Sequence, residues 1–232
     1  NNRASNRPIR SSTVKVIIAL DNIKFDDAFH LMVSLAPFVD GFKINHSLLE
    51  HTNMFQNYEG EFFIDLKLFD TPNSVCSVVE NILEKGATMT TISTFNNSEV
   101  FKCLHQYSED IKLLGVTYLT SWSEKEQFEI TREVKRNMWQ RHIDRISKVG
   151  FTGIICSAQD INDITEINQR LLRVCPGITF KSSNSGQVRT TSPKIAQELG
   201  ADYAIIGRSV TQSNHPVETI EQIKKSLAFR LV

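Results

Sequence analysis

The chain alternates short apolar runs with amphipathic helical segments along almost its whole length, and this alternation limits the folds open to it. Runs typical of strands cover residues 14–20, 41–44, 61–68, 88–92, 111–118, 153–156, 173–175 and 204–206. Helical periodicity covers residues 25–36, 71–85, 98–107, 123–148, 162–172, 193–199 and 217–227. Such alternation favours a parallel sheet with right-handed crossovers. Eight units in about 220 residues predict an α/β fold of the (β/α)8 TIM-barrel type, with an open doubly wound sheet as the alternative.

The termini and the charge balance narrow the class of protein further. Residues 1–13 are polar and contain three arginines, so we expect a flexible leader before a single barrel domain over residues 14–232. The 26 basic and 26 acidic residues cancel, which argues against a general nucleic-acid or membrane surface. No apolar run approaches the roughly 20 residues that a membrane helix needs. We therefore expect neither a nucleic-acid nor a membrane partner.

The four cysteines, Cys76, Cys103, Cys156 and Cys175, are widely spaced and form no CxxC pair. Free, mostly buried thiols in a reducing cytoplasm are the simplest interpretation of this spacing. We do not expect them to bind a metal.

Charged residues interrupt the predicted strands near their carboxyl ends, where barrel enzymes carry their active sites. Asp21 follows the first strand, Lys43 lies in the second, and Asp65 and Lys67 lie in the third. Alternate residues of a strand share a face, so Asp65 and Lys67 point the same way. The apolar residues on either side of them point the other way, towards a core, namely Ile64, Leu66 and Leu68. Buried charges are costly unless they pair, so a purely structural Asp–Lys ion pair is the alternative to an active-site array.

A second polar group follows the last two strands, where barrels often bind phosphate. Gly207 allows the backbone to approach an anion, and Arg208 offers a bidentate guanidinium. Gln187 and Arg189 could add donors, although Arg189 is equally well explained as a surface charge.

Together these residues resemble the orotidine 5′-phosphate decarboxylase family over about residues 14–217. The resemblance is carried by Ala19-Leu20-Asp21, Lys43, Asp65-x-Lys67-x-x-Asp70-x-Pro72-Asn73, Leu119-Thr120-Ser121, Cys156-Ser157-Ala158, Pro176-Gly177-Ile178, Gly186-Gln187-Val188-Arg189 and Gly207-Arg208-Ser209. The Asp-x-Lys-x-x-Asp element also occurs in sibling sugar-phosphate enzymes, whereas the whole combination is specific.

The resemblance implies decarboxylation of orotidine 5′-monophosphate to uridine 5′-monophosphate and CO2 in pyrimidine biosynthesis. It implies no metal, no organic cofactor, and a cytoplasmic homodimer with two shared active sites. Lys43, Asp65 and Lys67 would be catalytic, with Asp70 supplied by the partner subunit. Lys67 would stabilise the carbanion and then protonate C6.

The same resemblance implies a set of substrate contacts. Asp21 and Lys43 would lie near the ribose, Ser121 would contact the pyrimidine, and Gln187 and Arg208 would hold the phosphate. Thr71, Ser74, Pro176 and Gly207 complete the predicted substrate-binding set. Phosphate binding would close the loop of residues 180–186 over the site.

Some positions depart from the family pattern and keep alternatives open. Thr179 stands where many bacterial members have arginine, and further departures are Asn45, Phe69, Thr71, Ser74 and the histidine-free segment 93–96. One alternative is a magnesium-dependent sugar-phosphate decarboxylase or aldolase, but the second strand offers Lys43 and no acid until Glu50. Another is a non-catalytic nucleotide-binding barrel. The segment 123–148 is predicted as one outer helix packing Ile130, Val134 and Met138 on the barrel.

Overall fold

The strands close into a parallel barrel in which each strand pairs with its neighbour in the sequence and β8 pairs with β1. The computed structural model describes residues 13–180 and 190–228. The strands are β1 (Lys15–Ala19), β2 (Gly41–Ile44), β3 (Glu61–Leu68), β4 (Met89–Ser93), β5 (Lys112–Val116), β6 (Gly153–Ile155), β7 (Leu172–Ile178) and β8 (Tyr203–Ile206). The predicted (β/α)8 barrel is therefore confirmed, and the open sheet is wrong because β1 and β8 are hydrogen-bonded.

Helices follow the strands and form the outer layer. They are α1 (Phe25–Leu35), α2 (Pro72–Glu84), α3 (Ser98–Leu104), α4 (Glu124–Thr131), α5 (Lys135–Ser147), α6 (Ile161–Ile167), α7 (Pro193–Glu198), α8 (Arg208–Thr211) and α9 (Pro216–Ala228). A 3₁₀ segment, His46–Phe55, connects β2 to β3, and the sequence did not predict it. Over residues 13–180 and 190–228, no helix is both long enough and apolar enough to cross a bilayer.

Successive side chains of each strand point to opposite faces of the sheet, and this produces one apolar layer inside the barrel and one between the barrel and the helices. On β1, Ile17 points into the barrel, while Val16 and Ile18 point outward against the helices. The inner layer consists of Ile17, Phe63, Met89, Leu114, Val116, Ile155, Val174, Tyr203 and Ile205. The interior of the barrel is thus filled with side chains.

A polar network lies at the amino-terminal end of the barrel, which we call the base. The Glu61 carboxylate accepts hydrogen bonds from Thr88 (2.8 Å), Lys112 (3.0 Å) and Tyr203 (2.8 Å). Burial acts to raise the pKa of Glu61, but Lys112 and the three hydrogen bonds together hold that pKa below its usual value. Glu61 is consequently a paired charge that joins β5, β8 and the residue just before β4 to β3.

The segment predicted as one helix over residues 123–148 forms two helices, α4 and α5. Thr131 ends α4, because its hydroxyl donates to the carbonyl of Gln127 (2.8 Å) and accepts from the amide of Glu133 (3.3 Å). Arg132 follows with a φ of 56°, in the left-handed region.

The break also changes which face of this segment is buried. Met138 is buried as predicted, but Ile130 and Val134 are 60% and 58% exposed, so the prediction that they pack on the barrel is wrong. Trp139 and Ile143, on the inner face of α5, fill that space instead.

The prediction of four free cysteines is wrong for two of them. Cys76 on α2 and Cys103 on α3 are joined by a disulfide, with Cα atoms 6.5 Å apart. The two helices pack against each other, a proximity that 27 residues of separation did not reveal. Cys156 and Cys175 are free and buried as predicted, with Sγ atoms 3.8 Å apart.

Candidate active site

Strand β3 departs from regular pairing at the point where its charged residues begin. It pairs with β4 through Ile64 and Thr90, and again through Leu68 and Ile92, so β3 carries extra residues between these two pairs. Lys67 lies in this bulge with a φ of 52°, a conformation that non-glycine residues seldom adopt. Such backbone strain is concentrated at functional sites.

Four charged side chains from β1, β2 and β3 form one ion-paired array at the barrel mouth. Lys43 donates to the Oδ2 atom of Asp21, and its Nζ lies 3.3 Å from Oδ2 of Asp65. The Nζ of Lys67 lies 2.8 Å from both carboxylate oxygens of Asp65. The predicted alternation of acid and base across neighbouring strands is therefore present in the structure.

The array is graded in its access to solvent. Lys43 is 6% exposed, the Asp65 side chain is 12% exposed, and the Lys67 side chain is 42% exposed. Lys43 therefore lies at the bottom of the array, while Lys67 extends from it into open space. This arrangement leaves an ammonium group accessible to a bound molecule.

Two lysines control the protonation of Asp65. Burial acts to raise the pKa of this carboxyl group, but Lys43, Lys67 and a hydrogen bond from Thr91 (2.7 Å) together hold the pKa below its usual value. Asp65 is therefore a carboxylate at neutral pH.

A cavity of about 1300 Å³ opens above the array, which is ample for a mononucleotide. Its floor is apolar and contains Phe63, Val116, Ile155 and Ile205. Most of the predicted site residues line this one cavity, namely Asp21, Lys43, Asp65, Lys67, Ser121, Pro176, Gly207 and Arg208. Thr179, the position that departs from the bacterial pattern, also lines it.

Three predicted residues do not line the cavity. Asp70, Thr71 and Ser74 are exposed beyond the end of β3. The Asp70 carboxylate accepts from the amide of Thr71 (2.6 Å), and the hydroxyls of Thr71 and Ser74 lie 3.0 Å apart. Within one chain the structure does not bring these residues to the array. Gln187, together with Arg189 and residues 181–186 of the predicted loop, lies outside the described residues.

Sequence reasoning missed several residues at or beside the site. Thr91 on β4 forms a hydrogen bond with Asp65. The Asn96 side chain accepts a hydrogen bond from the backbone amide of Asp70 (3.3 Å) and donates one to the carbonyl of Leu68 (2.8 Å). Lys24 and His30 extend the cavity wall along α1. An uncharged Thr within an apolar strand gives no sequence signal, and Lys24 and His30 have the spacing of an ordinary helix surface.

The positions of the His, Cys, Asp and Glu side chains indicate whether the site could bind a metal ion. In the described part of the chain, no group of three or more His, Cys, Asp or Glu side chains is placed to hold a metal ion. Asp21 and Asp65 are already paired with ammonium groups.

A closed parallel barrel with a charged array at the carboxyl ends of its strands defines a TIM-barrel enzyme as the class of protein. The family model described as "Orotidine 5′-phosphate decarboxylase / HUMPS family" matches residues 14–223. The chain therefore belongs to the orotidine 5′-phosphate decarboxylase family.

Individual relatives agree with this membership. An orotidine 5′-phosphate decarboxylase of Dictyoglomus turgidum is 30% identical, over 91% of this chain and 94% of the relative. One from Wolbachia pipientis is 35% identical, over 71% of this chain and 75% of the relative. The crystal structure of the Lactobacillus acidophilus enzyme superposes with a TM-score of 0.75 at 26% identity, covering 93% of this chain and all of the other. The family and the decarboxylase assignment expected from the sequence are confirmed.

Proposed function

We propose that this enzyme converts orotidine 5′-monophosphate to uridine 5′-monophosphate and CO2 without a metal ion, using Lys67 as the proton donor to C6. The observation that carries the proposal is the array itself, in which a carboxylate and an exposed ammonium group lie 2.8 Å apart at the edge of the cavity. Decarboxylation creates negative charge at one carbon, and an adjacent ammonium group stabilises that charge.

The chemistry follows from the two charges. The bond between C6 and the carboxylate breaks, CO2 leaves, and the electron pair remains on C6. Lys67 stabilises this pair electrostatically and then transfers a proton from Nζ to C6. Asp65 faces the departing carboxylate and holds Lys67 in place through the contact at 2.8 Å. Lys43 in turn holds Asp65 through the contact at 3.3 Å.

The rest of the cavity supports a nucleotide as substrate. Ser121 follows β5, and Pro176 lies in β7. Both line the cavity whose apolar floor suits a pyrimidine ring. Gly207 and Arg208 follow β8, where Arg208 can pair with a phosphate. We assign Asp21 and Lys43 to the ribose and Gln187 to the phosphate. Binding energy from the remote phosphate can then be used to order the reacting centre.

We further propose a homodimer in which Asp70, Thr71 and Ser74 enter the partner's cavity. Their exposed positions beyond β3 support this, because none of the three lines the cavity formed by the described residues of its own chain. Large apolar side chains are also exposed after the neighbouring strands β3, β4 and β5, namely Phe69 (68%), Phe95 (41%) and Leu119 (38%). Exposed apolar groups beside a site are typical of a protein interface. For an enzyme of pyrimidine biosynthesis we also infer a cytoplasmic location.

The test follows the absorbance of orotidine 5′-monophosphate with purified protein in the presence of EDTA. We expect turnover in the wild type, almost none in Lys67→Ala, and normal turnover in Lys102→Ala, which removes an exposed lysine paired with Glu99 on α3. Wild-type turnover that disappears with EDTA and returns with Mg²⁺ would contradict the metal-free mechanism. Absence of both turnover and nucleotide binding would favour the sugar-phosphate siblings. Tight binding of uridine 5′-monophosphate without turnover would identify a non-catalytic barrel.

A further inference from the structure

One buried hydroxyl on β4 contacts two charged residues of β3, Asp65 and Lys67. The Thr91 hydroxyl donates to Oδ1 of Asp65 (2.7 Å) and accepts from the backbone amide of Lys67 (2.9 Å). Thr91 is fully buried and does not line the cavity, so it has no direct contact with a bound substrate. Any effect of Thr91 on chemistry must therefore act through Asp65 and Lys67.

The bulge in β3 explains why Lys67 needs this partner. Between the pairs Ile64–Thr90 and Leu68–Ile92, β3 has more residues than β4, so the regular ladder is interrupted there. A buried backbone amide without an acceptor is costly, and the Thr91 hydroxyl supplies the acceptor at this point. The left-handed conformation of Lys67, at a φ of 52°, is held by the surrounding structure rather than by its own preference.

We propose that Thr91 is a positioning residue that fixes the Asp65 carboxylate and the Lys67 backbone relative to each other through its single hydroxyl. The inference rests on the proposed function, because Asp65 and Lys67 are the pair to which that function assigns the chemistry. The hydroxyl is bound on both sides, so it cannot rotate to serve one residue without releasing the other. Small displacements of a proton donor from its target cost large factors in rate.

The chain contains a matched control next to this residue. Thr90 is also fully buried on β4, and its hydroxyl has no hydrogen-bond partner among the described residues. Thr→Val at position 90 or 91 makes the same chemical change on one strand at the same degree of burial. Only at position 91 does it remove hydrogen bonds.

The first measurement is steady-state decarboxylation by Thr91→Val, Thr91→Ser and Thr90→Val. We expect kcat to fall about 10- to 100-fold in Thr91→Val with little change in KM, because the displaced groups act on the reacting carbon. Thr91→Ser should restore most of the rate, and Thr90→Val should match the wild type. Thr91→Ala provides a second hydroxyl-free variant if Thr91→Val does not fold. A wild-type kcat in the hydroxyl-free variant, or an equal loss in Thr90→Val, would overturn the proposal.

The second measurement does not depend on turnover. The hydrogen bond from Thr91 is one of the contacts that lower the pKa of Asp65, so its removal should move the titration of this carboxyl to higher pH. Carbon-13 NMR of the Asp65 carboxyl in wild type, Thr91→Val and Thr90→Val reads this shift directly. An unchanged titration in Thr91→Val refutes the positioning role. If the wild type shows no turnover, the proposed function has failed, and this titration alone decides the role of Thr91.

Discussion

Replacing Lys43 by methionine tests whether the array behaves as one coupled electrostatic unit. Lys43 is 6% exposed and contacts both Asp21 and Asp65, so methionine keeps most of its volume and removes one buried charge. Asp65 retains Lys67 at 2.8 Å and Thr91 at 2.7 Å. The variant should therefore fold, with a weakened array.

The magnitude follows from the geometry. Two unit charges 3.3 Å apart attract by about 5 kcal/mol at an effective dielectric constant of 20. Removal of Lys43 also removes the cost of burying its ammonium group, and it leaves Asp21 partly solvated. We therefore expect the free energy of unfolding at pH 7 to fall by about 3 kcal/mol, the lower end for breaking one side of a buried pair.

The stability lost in Lys43→Met should depend on pH, and the lowered pKa of Asp65 determines the direction of that dependence. The pKa of Asp65 is lowered in the folded protein, so its contribution to stability is present above the unfolded pKa and is lost as pH falls through the folded pKa. The charge of Lys43 is one of the effects that lower this pKa, so Lys43→Met raises it. The variant should lose stability at higher pH than the wild type. The two stability curves should converge in acid, where Asp65 is protonated in both proteins.

Urea unfolding followed by far-ultraviolet circular dichroism, repeated between about pH 3 and pH 7, measures this difference. Lys112→Met is the control, because Lys112 pairs with Glu61 at the base of the barrel (3.0 Å). We expect it to reduce stability by about 1 kcal/mol and to leave kcat unchanged, since Glu61 keeps Thr88 and Tyr203. A pH-independent loss of stability in Lys43→Met, or wild-type turnover by that variant, would refute the coupled array.

Three further predictions concern the dimer, the phosphate and the disulfide. Heterodimers of Asp70→Ala and Lys67→Ala should recover about half of wild-type activity per dimer if each site uses both chains, because one site then contains both intact residues and the other contains neither. Heterodimers proven by mass spectrometry yet inactive would contradict a shared site. Arg208→Ala should raise KM about 10- to 100-fold through loss of charge-assisted hydrogen bonds, whereas an unchanged KM would remove Arg208 from the phosphate site. The disulfide between Cys76 and Cys103 links residues 27 positions apart, and its reduction should lower the free energy of unfolding by roughly 3 kcal/mol without changing kcat. Thermal melts and activity assays with and without dithiothreitol measure both effects. Loss of activity on reduction would show that the outer helical layer affects the site.

The sequence was most informative where one physical signal dominated. Buried strands were recognised because apolar runs of about four to eight residues are too short for typical helices and alternate here with helical segments, and the range predicted for β3 matches the structure. That Asp65 and Lys67 share one face of β3 was predicted from strand alternation alone. The array was therefore predictable because its members occupy adjacent strands near their carboxyl ends.

Features that depend on several weak contacts were not predictable in the same way. The end of α4 at Thr131 depends on a side chain that bonds two backbone groups, and the helical periodicity of residues 123–148 did not reveal it. The role of Thr91 depends on a bulge in the neighbouring strand. The pairing of Cys76 with Cys103 depends on how α2 packs on α3.

The base network and the array occupy opposite ends of the same strand, with Glu61 at its first residue and Asp65 four residues later. Four residues of strand span about 13 Å, beyond the roughly 7–10 Å at which substitutions still influence one another. Substitutions at the two ends should therefore have additive effects. A lineage, or a directed-evolution library, could exchange residues at the mouth such as Thr120 and Thr179 to accept new substrates while Glu61 continues to anchor the strands. This separation gives the scaffold a physical basis for acquiring new chemistry without first losing its fold.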